Sequence, residues 1–430
     1  MTTVELRGDA ARSTLSAAAF AVALLAFQLL LIGFGLAGMH GNSAITASWL
    51  VLSEIAILVL SWRAISAKAP DYIFVAFFTS VMLSIFLSFD RSLINDYARF
   101  AICVPLAYFA GRSLNKSVIA RVPDVMLIVS SVVLVIAVAA LLYSFAVDGV
   151  GGLERTTIFG FNHAPNVLAV TAGCFAISFI FSRVRMRSAL SAAVLTLLFV
   201  ACAAFAVALV RFTIVAILAT AMFAAAWLLF TNQRDRAVRA AVVFLLCITS
   251  CGAAVYLRPS GVINFTNEAI ADAKDAIADA KGAIADARGA IQKPSAVSPE
   301  RLPSCTESAR LGRSVEIRSY LLKDAFFLLP TSGLLGYGLG SFSSITCLKG
   351  HEVHNIFLQT FIETGFVAGT LLIALFIALA AGLMSMPNAG FLLSCLVLYT
   401  IIGMAHGSIT IAMPLFLIAG AASAVRADGR

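Results

Sequence analysis

The chain has 430 residues, 61% of them apolar and only 12% charged, with a mean hydropathy of +0.98 and a net charge of +8. A soluble domain is nearer half apolar and a quarter charged, so composition excludes an ordinary soluble enzyme, a disordered chain and a disulfide scaffold. The apolar runs are continuous rather than alternating, which argues against a β-barrel.

A helix needs about 20 apolar residues to cross the hydrocarbon core. On that measure the sequence predicts an all-α integral membrane protein of about 12 transmembrane helices. The expected spans lie near 15–39, 45–62, 71–88, 95–111, 125–147, 164–182, 189–209, 212–230, 240–257, 354–382, 389–405 and 407–424. The first run is too long for the apolar core of a cleaved leader. Residues 189–230 form one apolar stretch interrupted only by Arg211. As a single helix it would reach about 63 Å, so a helical hairpin turning at Arg211 is expected. Cations set the orientation. With the N-terminus inside, 15 Lys and Arg fall on the inner side, and the short outer segments hold four: Arg91, Arg99, Arg155 and Arg211. That asymmetry places both termini in the cytoplasm. The positive charge is therefore a topology signal, and no nucleic-acid partner is expected.

Three parts follow: a membrane bundle over 1–257 with about nine helices, an outer segment over 258–353, and C-terminal membrane helices over 354–430. The outer segment holds 21 of the 52 formal charges. It opens with a heptad repeat over 269–291, in which Ile270, Ile277, Ile284 and Ile291 recur every seven residues. The Ala-rich repeat favours helix, but one Ile per heptad makes a thin seam. A spacer helix is the expectation, and a coiled-coil or docking arm the alternative. Pro294, Pro299 and Pro303 end it. Cys305 and Cys347 are the pair of thiols in this segment; an oxidising compartment would let them bridge, with two free thiols as the alternative. The other six cysteines fall in or at the ends of apolar spans, where a thiol acts as a small hydrophobe.

Polar groups gather at the outer boundary in four places: Glu154-Arg155 with the run to Asn166; Arg211; Arg310, Arg313 and Arg318; and the glycine-rich run Gly333–Phe342 leading to His351, His354, Asn355 and Glu363. Guanidinium groups bind multiply charged oxyanions bidentately and keep their charge, which suits a pyrophosphate. A histidine titrates near neutral pH and can take a proton from a sugar hydroxyl. The glycine run lacks a following Lys-Ser/Thr and is no P-loop; its glycines suit a tight turn and close packing. An intramembrane carboxylate such as Glu363 is a functional candidate by default.

The motif His354-Asn355-x-x-Leu358-Gln359-x-x-x-Glu363-x-Gly365-x-x-x-Gly369 resembles the signature of the O-antigen ligase and polymerase superfamily. Arg318, Tyr320-Leu321, Ala325, Pro330, Gly333, Gly336-Tyr337-Gly338 and Ser341-Phe342 are similar to the run that precedes it in that family. Arg155, Gly160, Pro165 and Asn166 fit its shorter outer loop. Where the family usually has Ser-Arg-Gly in an outward turn, this chain has Val210-Arg211-Phe212, so only the arginine carries over. The resemblance covers about 150–382. It implies a glycosyltransferase of the bacterial inner membrane facing the periplasm, with a glycan on undecaprenyl pyrophosphate as donor. The acceptor would be a glycolipid, either lipid A core for a ligase or a second lipid-linked glycan for a polymerase. No metal or other cofactor is implied. Carried over, Arg211 and Arg318 hold the pyrophosphate and His354 serves in catalysis, with Arg155, Asn166, Arg313, Asn355 and Glu363 as substrate-binding candidates. Two other classes compete. A secondary transporter would show internal half-repeats and broken helices near the midplane, and no similarity between the halves is found. A structural or assembly subunit would leave the arginines and His354 unexplained.

Overall fold

A computed structural model describes residues 3–38, 43–61, 66–148, 156–161, 163–183, 188–259, 302–306, 314–404, 407 and 409–427. Arg155, Arg310, Arg313 and the heptad repeat lie outside the described residues, as does the side chain of Arg211. The described chain is helical, with one isolated bridge between Ile158 and Phe161. In order, the helices are α1 (Thr3–Leu24), α2 (Ala26–Leu36), α3 (Ser43–Ser61), α4 (Ala69–Leu87), α5 (Ile94–Ser113), α6 (Lys116–Ile119), α7 (Val122–Asp148), α8 (Ala164–Phe181) and α9 (Ser188–Val207). There follow α10 (Arg211–Phe230), α11 (Arg234–Leu257), α12 (Pro303–Thr306), α13 (Ser314–Leu328), α14 (Phe342–Ile345), α15 (Ile356–Met384), α16 (Gly390–Gly403) and α17 (Met413–Ala427).

Eight of these helices are long and apolar enough to cross a membrane, and nine if the bent pair α1 and α2 counts as one span. The chain is thus a multi-span membrane protein. Every expected span coincides with a helix, but three of the twelve fall short of that measure. α5 carries Asp96, Arg99 and Arg112, while α16 and α17 have 14 and 15 residues. The first span is not continuous: α1 and α2 meet at 68° across Leu25. The 189–230 stretch does split in two, at residues 208–210.

Packing sorts the helices into a bundle whose most extensive helix pair is α5 with α17. The two backbones nearly touch there. A Cβ on Gly111 would lie 2.0 Å from the Leu417 carbonyl oxygen, and one on Gly420 would lie 1.9 Å from that of Tyr108. Small residues permit such approach in lipid, where no hydrophobic drive brings helices together. Beside this crossing sits a buried ion pair. Arg112 Nε donates to both Asp71 carboxylate oxygens at 3.1 and 3.2 Å. Tyr108 Oη and Ser423 Oγ donate to Asp71 Oδ1 at 2.8 and 3.0 Å, so one carboxylate ties α4, α5 and α17 together. Arg112 therefore does not belong among the free loop cations of the orientation count; it is 1% exposed. The orientation itself has a direct check: reporter fusions after Arg239 and after Ser260 should report opposite compartments, and the same compartment for both would overturn it.

A second, smaller apolar cluster lies apart from the bundle core. Leu321, Ala325 and Leu328 of α13 pack with Phe342, Leu348, Val353 and Ile362. It seats the described part of the outer segment on the first turns of α15.

Candidate functional site

The centre of this seat is a break in α15. Gly365 has φ 85° and ψ 176°, a region open in practice only to glycine. The glycine-rich run 333–342 fills the gap. The N–H of Tyr337 donates to the Ile362 carbonyl at 3.0 Å, and that of Gly338 to the Glu363 carbonyl at 2.7 Å. Below the break, Phe366 and Val367 N–H donate back to the carbonyls of Gly333 and Leu334. Ser84 Oγ of α4 also donates to the Glu363 carbonyl, at 3.3 Å. Irregular backbone inside a membrane requires such partners, because each unsatisfied group there costs several kcal/mol. Two glycines make the joint possible. A Cβ on Gly336 would meet the Glu363 carbonyl oxygen at 2.3 Å, and one on Gly365 would meet that of Leu334 at 2.2 Å.

Glu363 serves the same joint. Its side chain is 2% exposed, and Oε1 accepts from Phe342 N–H at 3.3 Å and from Gln359 Nε2 at 3.0 Å. The carboxylate thus holds the run to the helix, and a direct role on substrate is not what these contacts describe. Gln359 is part of the motif, but nothing in the sequence marks it as a partner of Glu363. Among the described residues its buried Oε1 has no hydrogen-bond partner. Asn355 likewise holds backbone. Its Oδ1 accepts from the N–H groups of Phe357 and Leu358, both at 3.1 Å, capping α15.

His354 precedes this cap. It is half-buried and has φ 56°, a left-handed conformation uncommon outside glycine. The turn forces the imidazole's backbone into one orientation immediately above the membrane helix. Arg318 is exposed, about one and two turns ahead of Leu321 and Ala325 on the same stripe of α13, which enter the cluster with Val353. Loop 88–93 borders the run: Cβ positions on Gly338 and Gly340 would contact Ser88 and Leu93. Within that loop, hydrogen bonds from the N–H and hydroxyl of Ser92 hold the Asp90 carboxyl below its ordinary range.

A disulfide joins Cys305 to Cys347, with their Cα atoms 5.3 Å apart. Beneath it Asp324, fully buried, accepts from Ser304 N–H at 3.0 Å and from Thr346 Oγ1 at 2.7 Å. The lone acid within the run Tyr320–Pro330 is the sequence signal for this anchor: a carboxylate amid aromatic and aliphatic neighbours must find donors when buried.

The other group of site residues sits where α8 and α10 begin. Residues 205–210 close α9 with Leu209 at φ 60°, and Val210 N–H bonds the Phe205 carbonyl at 3.0 Å. This is a Schellman-type end with leucine where glycine is usual, and it starts α10 at Arg211. Two residues on, Thr213 Oγ1 donates to the Asn166 carbonyl at 3.4 Å. That bond joins the first turn of α10 to the first turn of α8. Phe159 and Gly160, with φ 54° and 76°, make a primed turn ahead of α8. The positive ends of two helix dipoles are thereby brought together, with Asn166 and Arg211 at them. The structure thus gathers Arg318, His354, Asn355 and Glu363 around the α15 seat, and Asn166 and Arg211 around the starts of α8 and α10.

Among the described residues no group of three or more His, Cys, Asp or Glu could hold a metal ion. No protein-family model, curated protein or solved structure matches the chain.

Proposed function

We propose that the protein is a membrane glycosyltransferase that moves a glycan from undecaprenyl pyrophosphate to an acceptor sugar hydroxyl. It would act at the periplasmic face of the bacterial inner membrane. The observation that carries the reading is the backbone of His354, held at φ 56° directly before the Asn355 cap and above a helix whose break is sealed. Strain of this kind persists where the surroundings over-determine it, and it clusters at working sites. His354 takes the acceptor's hydroxyl proton as the oxygen attacks the anomeric carbon. The bond to pyrophosphate breaks, and Arg211 and Arg318 stabilise the departing charge. Pyrophosphate is a good leaving group, so oriented cations suffice for its departure. Both acceptor classes, lipid A core and a second lipid-linked glycan, fit this chemistry.

The test is glycan transfer by the purified protein from a lipid-pyrophosphate donor, with chelator present. Arg211→Ala and Arg318→Ala should each lower the rate by roughly 30- to 1000-fold, the loss of about 2–4 kcal/mol of transition-state stabilisation. Arg→Lys should rescue only in part, because an ammonium cannot reproduce the bidentate fork. His354→Ala should abolish transfer while leaving donor binding nearly intact. His351→Ala is the mild control. Activity that survives His354→Ala and vanishes with chelator would end the proposal.

A transporter gains one specific observation, the broken α15 with a buried carboxylate beside the break. Transporters leave such freed carbonyls open to a cavity for the ion. Here the Ile362 and Glu363 carbonyls are taken by the glycine-rich run, which favours the enzyme.

A further inference from the structure

At the opposite end of the bundle, the ends of α8, α15 and α17 meet the beginnings of α7, α11 and α16 around a cavity of about 410 Å³. The cation asymmetry assigns this end to the cytoplasm. Among the described residues three cations line the cavity, Lys116, Arg183 and Arg236, and no acidic residue does. Its remaining wall is largely apolar, with Phe181, Phe391 and Leu392 prominent.

Ordinary inner-face cations extend into water. Arg236 does not: it is half-buried, its guanidinium carbon lies 6.0 Å from the centre of the Phe181 ring, Nη1 donates to Gln233 Oε1 at 2.6 Å, and Arg183 and Arg239 repel it while Asp124 attracts it. Among the described residues neither Arg183 nor Arg236 makes a salt bridge within 4.0 Å of a carboxylate. Asp124 is the one acid that acts on Arg236, and its Oδ1 is shared, accepting from Ser182 Oγ at 2.7 Å and from Arg183 N–H at 2.8 Å. Arg239 is turned to the Ser182 carbonyl at 2.9 Å. Arg234, Arg236 and Arg239 also stand at the N-terminus of α11, the positive end of its dipole, where cations are disfavoured. The starts of α7 and α16 bring two more positive ends to the same place. Three cations around one cavity, with a single shared carboxylate beside them, call for a further anion. A half-apolar wall at a bilayer boundary calls for one that carries hydrocarbon.

We propose that this cavity binds the phosphodiester headgroup of an anionic membrane phospholipid, with Arg183 and Arg236 on the phosphate and the first acyl carbons against Phe181, Phe391 and Leu392. Basic pockets between helices on the cytoplasmic side suit such headgroups. The site is independent of the chemistry proposed at the other end.

Native mass spectrometry of the detergent-purified full chain tests it, with phosphatidylglycerol, phosphatidylcholine and inorganic phosphate titrated separately. Phosphatidylglycerol should be retained, and the other two should not. Arg183→Gln with Arg236→Gln should weaken its retention at least tenfold, as should Arg183→Gln alone in part, since that exposed position tolerates glutamine without disturbing the fold. Arg91→Gln, an exposed cation at the far end, should leave retention unchanged. Equal retention by parent and double variant, equal retention of phosphatidylcholine, or saturation by inorganic phosphate alone would each overturn the assignment.

Discussion

Gly365→Ala should destabilise the protein by roughly 3–5 kcal/mol, among the larger effects open to a single methyl group. Two costs combine. The φ of 85° lies where an L side chain is strained, and the added carbon would sit 2.2 Å from the Leu334 carbonyl oxygen. That oxygen is backbone, already receiving the Val367 N–H, so it cannot swing aside as a side chain would. Relief requires the glycine-rich run to withdraw, which strands the Ile362 carbonyl in an apolar setting and leaves that of Glu363 with Ser84 alone. Gly336→Ala attacks the joint from the other side and should cost a similar amount. The double variant should cost much less than the sum, because the joint can be lost only once. Gly350→Asn is the comparison: φ is 76° but a Cβ there meets nothing within 4 Å, and asparagine tolerates that conformation. Thermal melts of the purified proteins decide the matter. A Gly365→Ala protein melting with the parent would mean that the run does not dock as described.

Asp71→Ala should cost about 3–5 kcal/mol, the usual penalty for stranding one member of a buried ion pair. Arg112 would then be buried without its counter-charge, keeping only its 2.6 Å bond to the Ser66 carbonyl. Tyr108 and Ser423 would lose their acceptor as well. Asp71→Asn should cost less, since its oxygen still accepts. Asp71→Leu with Arg112→Leu should recover much of the loss, because an apolar pair of similar volume avoids desolvation altogether. A double-mutant cycle on melting behaviour measures the coupling. No recovery in the double variant would mean that the pair contributes more than mutual neutralisation, for instance by setting the register of α17.

Hydropathy makes the helices legible, because twenty apolar residues in a row have few other fates. It reads breaks poorly. Leu25 interrupts the first span with neither glycine nor proline to mark it, so the bend arises from packing. Gly365 is visible, but a glycine four residues before another glycine reads as a close-packing stripe; the partner that makes it a break is 29 residues upstream, at Gly336. Asp71 and Arg112 each read as a charge at the edge of a span, and their union across 41 residues has no local signature. At the site, the motif locates His354, Asn355 and Glu363 at the start of one helix. What it cannot convey is that the side chains of Asn355 and Glu363 are occupied in holding backbone, one capping α15 and the other clasping Phe342. Arg318 and Arg211 stand out by charge and position, and charge alone carries no information on which helix ends they share.

The sealed break in α15 also has a history within each molecule. Ribosomes deliver the glycine-rich run before the helix that it completes, so for a time the run's own N–H groups have no helix to meet. Once α15 arrives, its upper turns cannot settle into hydrocarbon by themselves, since the carbonyls of residues 362 and 363 take backbone donors from the run, with only Ser84 of α4 to help at the second. The first ten residues of this helix are therefore a late-maturing piece of an otherwise self-sufficient span. A chain interrupted after Phe342 would display the plug without its socket, and a chain lacking the run would display the socket alone. Either fragment exposes unpaired backbone, and in hydrocarbon each such group costs several kcal/mol until its partner arrives.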